Sequence, residues 1–96
     1  MITYQVRIQV DAEVECEWLH WMKTIHVPDL IATGLLVSYH ILQPQGEDQV
    51  YYFHYQFSDA EKLDQYQKDH APKLKADVQK NFPGRSSSSR QILDWI

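Results

Sequence analysis

The run ITYQVRIQV at residues 2–10 alternates without a break: Ile2, Tyr4, Val6, Ile8 and Val10 point one way, and Thr3, Gln5, Arg7 and Gln9 the other. A period of two belongs to a strand with one buried face and does not fit a helix. The run VYYFHYQF at residues 50–57 repeats the pattern, with Tyr51, Phe53, Tyr55 and Phe57 on the apolar side. Ahead of it, LLVSYHILQ is rich in β-branched and aromatic residues, and Pro44-Gln45-Gly46-Glu47-Asp48 separates the two as a hairpin loop would. A loop centred near Glu47 sets His40 directly opposite His54.

The intervening segments change to a period of three to four. Asp11 is the expected N-cap of a first helix, with Glu13 and Glu15 in its first turn. Val14, Trp18, Trp21, Met22 and Ile25 recur as one apolar stripe. Pro28 disfavours helical geometry at Val27, so this helix is expected to stop near Thr24 or Ile25. Pro28 would then open a second short helix that Gly34 ends, leaving His26 at an elbow. Ser58-Asp59-Ala60-Glu61 reads as a capping box before another helix carrying Leu63, Tyr66, His70, Leu74 and Val78. The elbow motif H-x-P-x-L occurs in both halves, at His26-Val27-Pro28-Asp29-Leu30 and at His70-Ala71-Pro72-Lys73-Leu74. With the helices antiparallel, the two bends are expected at opposite ends of the helical layer, keeping His26 and His70 apart. A last strand is expected within residues 85–96, strongest over 92–96, because Ser86-Ser87-Ser88-Ser89 makes a poor strand start.

The order is β-α-β-β-α-β, an α+β ferredoxin-like plan. It implies one domain over residues 1–96, a four-stranded antiparallel sheet in the order 4-1-3-2, and two bent helices on one face. The opposite face carries Gln5, Arg7, Ser38, His40, Leu42, Val50, Tyr52, His54 and Gln56. Such a face is too aromatic to be merely solvated, and too polar for a monomer core. A second copy laid across it is the expected cover, with Arg7, His40, Leu42, Tyr52 and His54 as the dimer-interface candidates.

Composition narrows the function classes. A formal net charge of −4 argues against nucleic acid. The aromatic strand VYYFHYQF lacks the Lys/Arg-Gly opening of an RNA-recognition strand. No apolar run reaches membrane-spanning length, and the alternating N-terminus does not read as a signal peptide. The single cysteine, Cys16, fits a reducing cytoplasm. Neither a metal-spaced Cys/His cluster nor a Gly-rich phosphate loop occurs, so no metal and no cofactor is expected.

Four segments together carry a family resemblance: Glu17-Trp18-Leu19-His20-Trp21-Met22-Lys23, His26-Val27-Pro28-Asp29-Leu30-Ile31-Ala32-Thr33-Gly34, Ala71-Pro72-Lys73-Leu74 and Phe82-Pro83-Gly84-Arg85. The chain resembles a bacterial domain-of-unknown-function family placed in the dimeric α/β-barrel superfamily. That resemblance implies a ferredoxin-like protomer whose sheet faces a partner's sheet. It brings no activity. More distant members of the superfamily include cofactor-independent monooxygenases, isomerases and small-molecule-binding proteins, often with a pocket between helices and sheet.

Candidate chemistry is sparse, and no catalytic residue is assigned. Trp18 and Trp21, with Met22, are either core or pocket wall. Tyr4 and Tyr55 are further pocket candidates. His26, just past a helix C-terminus where the dipole favours imidazolium, is expected to cap the bend or to face a ligand. Cys16 and His20 share a polar helix face and read as solvated. Arg85 and Arg90, flanking four serines, read as a flexible strand lead-in, with an anion grip or a phosphorylation site as the alternatives. Two function classes fit: a homodimer that binds a small organic ligand, and a cofactor-independent enzyme, monooxygenase- or isomerase-like, acting on a small aromatic or polyketide-like molecule.

Overall fold

A computed structural model describes residues 1–96. Strand β1 spans Ile2–Val10, β2 Ser38–Leu42, β3 Val50–Phe57 and β4 Ser86–Asp94. They form one antiparallel sheet in the order β2-β3-β1-β4. Helices α1 (Glu15–Trp21) and α2 (Val27–Ala32) follow β1, and α3 (Ala60–Asp69) and α4 (Ala71–Asn81) follow β3. This is the α+β ferredoxin-like plan, with all helices on the face that carries Tyr4, Val6, Ile8, Tyr51, Phe53, Tyr55 and Phe57. The hairpin register puts His40 opposite His54 and Tyr39 opposite Tyr55.

Pro28 does not end the first helix, as the sequence had suggested. Between α1 and α2 the chain widens into a π turn, Met22–His26, in which the Val27 N–H donates to the carbonyl of Met22, five residues back. The helix then continues with Val27 at φ −63°, ψ −45°. A proline inside a straight α-helix collides with the carbonyl four residues earlier, and one wide turn relieves that collision. The Thr24 hydroxyl adds a donor to the His20 carbonyl at 2.8 Å where the bonding pattern changes. The extra residue also rotates the apolar stripe. Trp18, Met22, Val27 and Leu30 are buried, while Ile25, expected inside, is 46% exposed. Gly34, at φ +76°, ends α2, and its N–H donates to the Ile31 carbonyl at 3.0 Å.

Three further expectations are corrected. Asp59, not Ser58, caps α3, its carboxylate accepting from the Lys62 N–H at 2.9 Å. The Asp11 side chain makes no cap bond; it pairs with the Arg85 guanidinium at 2.9 Å, and Glu13 pairs with the same group at 3.0 Å. Those exposed pairs join the end of β1 to the start of β4. The serine run is strand: Ser86 pairs with Val10, Ser87 with Gln9, Ser88 with Ile8 and Ser89 with Arg7, and β4 ends before Trp95. Strand propensity yields here to a ready-made partner edge along β1.

The second bend lies beside the end of α2 and not beside His26, so the two histidines stay apart as expected. α3 breaks at His70, at φ −123°, ψ −40°, before α4. Each bend falls near the middle of its helical arm and not at its end, and His26 shares its cavity with Leu74 and Val78 of α4. Asp29 and Thr33 of α2 share a cleft with Asp69, His70, Lys73 and Asp77. No hydrogen bond joins His70 to His26.

The open face is laced by short polar bonds. Trp95 Nε1 donates to Thr3 Oγ1 at 2.7 Å, Gln56 Nε2 to the same oxygen at 3.4 Å, and Ser38 Oγ to Gln56 Oε1 at 2.9 Å. His54 Nε2 and Gln5 Oε1 lie 2.9 Å apart. Leu42, Tyr52 and Arg7 form the next row of the sheet, and Leu42 is 46% exposed. No helix of the chain is long and apolar enough to cross a membrane.

The π turn makes a direct prediction. Val27→Ala should cost about 2 kcal/mol, as truncation of a buried aliphatic side chain does, whereas Ile25→Ala should change stability by less than about 0.5 kcal/mol. Chemical denaturation of both variants checks this; a larger loss for Ile25→Ala would mean that the helix keeps its α phase.

Candidate functional site

A cavity of about 320 Å³ lies between the inner sheet face and the helices. Its origin is the composition of β4. On that edge strand the inner-facing positions across from Ile8 and Val10 are Ser88 and Ser86, where a large apolar residue would have filled the space beneath α4. The floor is Tyr4, Val6 and Ile8 of β1 with Tyr55 of β3. Trp18 and Met22 close one wall, Leu74 and Val78 the other, and Tyr66 closes the α3 end.

Trp18 is fully buried, with its ring 5.4 Å from Tyr51 and 6.0 Å from Phe53. That packing fixes the indole through its carbon framework and leaves its Nε1 without a hydrogen-bond partner. His26 sits on the π turn and lines the same cavity, and its Nδ1 is also buried and unpartnered. These are the two buried side-chain polar atoms of the chain that lack a partner. Unpaired buried polar groups are rare in folded proteins, because each forfeits roughly 1–3 kcal/mol of hydration. Both belong to residues that line one cavity, and this makes it the candidate site.

The expected capping role of His26 is not found: its side chain makes no cap bond at either helix. Nor is imidazolium favoured. Burial lowers the His26 pKa from 6.5 to about 4, against the pull of Asp29 and Asp77 and reinforced by Arg90. With the helix continuing past it, His26 is not at a C-terminus, so the dipole that would have favoured the cation is absent. Trp21, expected in the pocket wall, does not line the cavity. It packs between the His26 ring, at 5.9 Å, and Phe82, at 5.7 Å, and so supports the imidazole from behind.

Three tyrosines complete the polar lining. Burial raises the pKa values of Tyr55 and Tyr66; Tyr66 and Tyr4 add to it at Tyr55 and Tyr4 at Tyr66, while Arg90 opposes it at both. The Tyr4 and Tyr66 rings meet edge-on at 6.1 Å. Tyr4, Tyr55 and Tyr66 all line the cavity, whereas the Tyr51 hydroxyl is committed to Glu15 at 2.7 Å.

Tyr4, Trp18, His26 and Tyr55, candidates from the sequence, are among the lining residues; Tyr66, Ser86 and Ser88 were not candidates, and Arg90 was offered only as an alternative, an anion grip, without a place in the cavity. Tyr66 was legible as a buried helix position, whereas the inner register of Ser86, Ser88 and Arg90 comes from their pairing with β1. Arg7, His40, Leu42, Tyr52 and His54 lie on the other side of the sheet. Burial and the nearby His40 lower the His54 pKa. Cys16 and His20 are exposed on α1, and no three metal-binding side chains converge anywhere in the chain.

Comparison with solved structures finds the same fold at low identity. A cofactor-independent oxygenase from Streptomyces nogalater, SnoaB, aligns with a TM-score of 0.77 and 12% identity over 98% of this chain and 91% of its own. An antibiotic biosynthesis monooxygenase gives 0.74 and 14%, over 100% and 99%. A mutant of MhuD with two manganese protoporphyrin IX molecules bound per active site gives 0.74 and 12%, over 100% and 95%. Comparison with curated proteins gives no sequence match. The profile described as Domain of unknown function (DUF4286) matches residues 1–96, and the chain belongs to that family.

Proposed function

We propose that this domain binds a small organic molecule in the helix–sheet cavity. The observation that carries the reading is the pair of unpartnered buried nitrogens, Trp18 Nε1 and His26 Nδ1, lining one cavity. A ligand that supplies an acceptor to the indole N–H and a complementary atom to the imidazole recovers both lost hydrogen bonds. A volume of about 320 Å³ lies at the small end of ligand sites and suits a molecule of about two fused rings. The fold likeness to SnoaB, a cofactor-independent oxygenase, and to MhuD with manganese protoporphyrin IX bound in its active site accords with a fold that accommodates organic ligands.

A cofactor-independent enzyme is the second reading, favoured by a neutral histidine beside three phenols. His26 would take a proton from an activated C–H or O–H, and a tyrosine hydroxyl would donate to the resulting oxyanion. Its basicity weighs against this. An imidazole with a pKa of about 4 is unprotonated at neutral pH but holds a proton poorly, and general bases work best when their pKa lies near the operating pH. Binding is therefore the primary reading.

The open sheet face supports a homodimer. Row by row it presents Ser38, His40 and Leu42 on the β2 edge, then Gln56, His54 and Tyr52, then Thr3, Gln5 and Arg7. No element of this chain packs over the Leu42-Tyr52-Arg7 row, and a second sheet would cover it. The exposed, unpaired Cys16 accords with work in a reducing compartment.

His26 gives the test of the binding reading. Because its folded pKa lies below its unfolded value, the unfolded chain binds the extra proton, and stability is lost as pH falls from 6.5 toward about 4. The loss at about pH 5 amounts to roughly 2 kcal/mol. His26→Leu should remove that acid-side loss, leave stability at neutral pH equal or higher, and abolish the ligand-induced rise in melting temperature of any compound that stabilises the wild type. A variant that is destabilised at neutral pH, or that keeps the ligand shift, would contradict the assignment.

The dimer has its own test. Tyr52→Glu places like charges across the two-fold and should give monomer, or an unfolded chain, in equilibrium sedimentation. A wild-type monomer at roughly tens of micromolar would refute the interface.

A further inference from the structure

The charge lining the cavity runs against that of the chain. The protein has 13 acidic and 9 basic residues, yet the cavity is lined by Arg90 and Lys75 and by no carboxylate. Asp29, Asp69 and Asp77 line the adjacent cleft instead. Arg90 is an inner-face residue, in register with Val6, at a position where a sheet of this kind buries apolar side chains. It has no acidic partner, since the ion pairs of the chain are Lys68 with Asp64 and Arg85 with Asp11 and Glu13. Its guanidinium is instead held at the cavity by a hydrogen bond to Ser88 Oγ at 3.1 Å. From there its field reaches His26, Tyr55 and Tyr66.

An exposed arginine is ordinarily a solvated charge. Arg90 differs in three respects: it sits on the inner register, it is unpaired, and the cavity behind it has free hydroxyl and ring N–H donors and no competing anion. A guanidinium offers a planar fork that matches a carboxylate or sulfonate edge on. Trp18, Met22 and Val78 supply the apolar surface for a ring system beyond it.

We propose that the cavity selects an organic monoanion, a flat apolar body bearing one carboxylate-like group, with Arg90 as the specificity-determining residue. This rests on the binding reading above and adds the ligand class. The anionic oxygens lie at the Arg90–Ser88 end, and the ring body extends toward Trp18 and His26. Lys75, at the α4 side of the mouth, adds attraction that salt screens.

A matched pair of fluorescent probes separates the two levels. 8-Anilinonaphthalene-1-sulfonate and N-phenyl-1-naphthylamine share a ring skeleton and differ by the sulfonate. Titrations should show the anionic probe binding the wild type at least about tenfold more tightly, the equivalent of one charge-assisted contact. Arg90→Gln should erase that preference, Arg90→Lys should keep part of it, and Lys62→Gln, which removes a charge outside the cavity, should keep all of it. Circular dichroism confirms that each variant is folded. Equal affinity for the two probes in the wild type, or a preference that survives Arg90→Gln, overturns the anion assignment while leaving cavity binding intact. Val78→Trp, which fills the cavity, should abolish binding of both probes. If neither probe binds the wild type, or both still bind Val78→Trp, the cavity is not the site and both readings fall.

Discussion

A proline in the middle of a helix that has to continue is the constraint on which the rest of this structure depends. Pro28 cannot donate a hydrogen bond and crowds the carbonyl of Thr24 in a straight α-helix. The chain answers with one wide turn instead of a break, marked by the Val27 N–H bonding back to Met22. That single step places Val27 and Leu30 in the core, turns Ile25 out to solvent, and points His26 into the space between helix and sheet. Had the helix ended at Thr24, the imidazole would have sat on a loop at a helix end, in the right place to be a charged cap. Held on a continuous helix and backed by Trp21, it is instead a neutral ring facing a cavity.

The cavity itself comes from an omission at the other side of the sheet. An edge strand that presented valine or isoleucine at positions 86 and 88 would pack beneath α4, and Trp18 and His26 would be stranded against hydrocarbon. Serines there leave room and add hydroxyls. The two unpaired nitrogens and the underfilled space both cost stability, through lost hydrogen bonds and lost dispersion contacts. A domain this small has little stability in reserve. Keeping both features in one place is the physical reason for reading the cavity as a binding site and not as loose packing.

Much of the architecture was legible in the sequence because β1 and β3 alternate cleanly. Their period assigns every side chain to a face, and the Pro44–Asp48 loop fixes the register so tightly that His40 falls opposite His54. The π turn was in principle legible too: Trp18, Met22, Val27 and Leu30 are spaced by four, five and three, and the five is the wide turn. It was obscured because proline usually ends a helix, and because Ile25 supplied a residue at the ordinary spacing. β4 was hidden for a different reason. Its serines have little strand propensity, and only the free edge of β1 makes them a strand. Tyr4, Trp18, His26 and Tyr55 were candidates from face and spacing together with the helix–sheet pocket that the family resemblance implied. Arg90 was legible only as the alternative of an anion grip, since its place rests on which cavity it borders and on the absence of a carboxylate from that lining.

The central claim is that a ligand in the cavity supplies the partners that the buried Trp18 Nε1 and His26 Nδ1 lack. The most direct measurement follows the indole N–H resonances of the three tryptophans, Trp18, Trp21 and Trp95, by proton–nitrogen correlation NMR during titration with 1-naphthoate. Trp18→Phe provides the assignment. The account predicts that the Trp18 resonance moves furthest and saturates, while that of Trp95, bonded to Thr3 on the opposite side of the sheet, stays in place. A stationary Trp18 resonance accompanied by saturable shifts at Trp95 would place the binding surface on the open face and contradict the account.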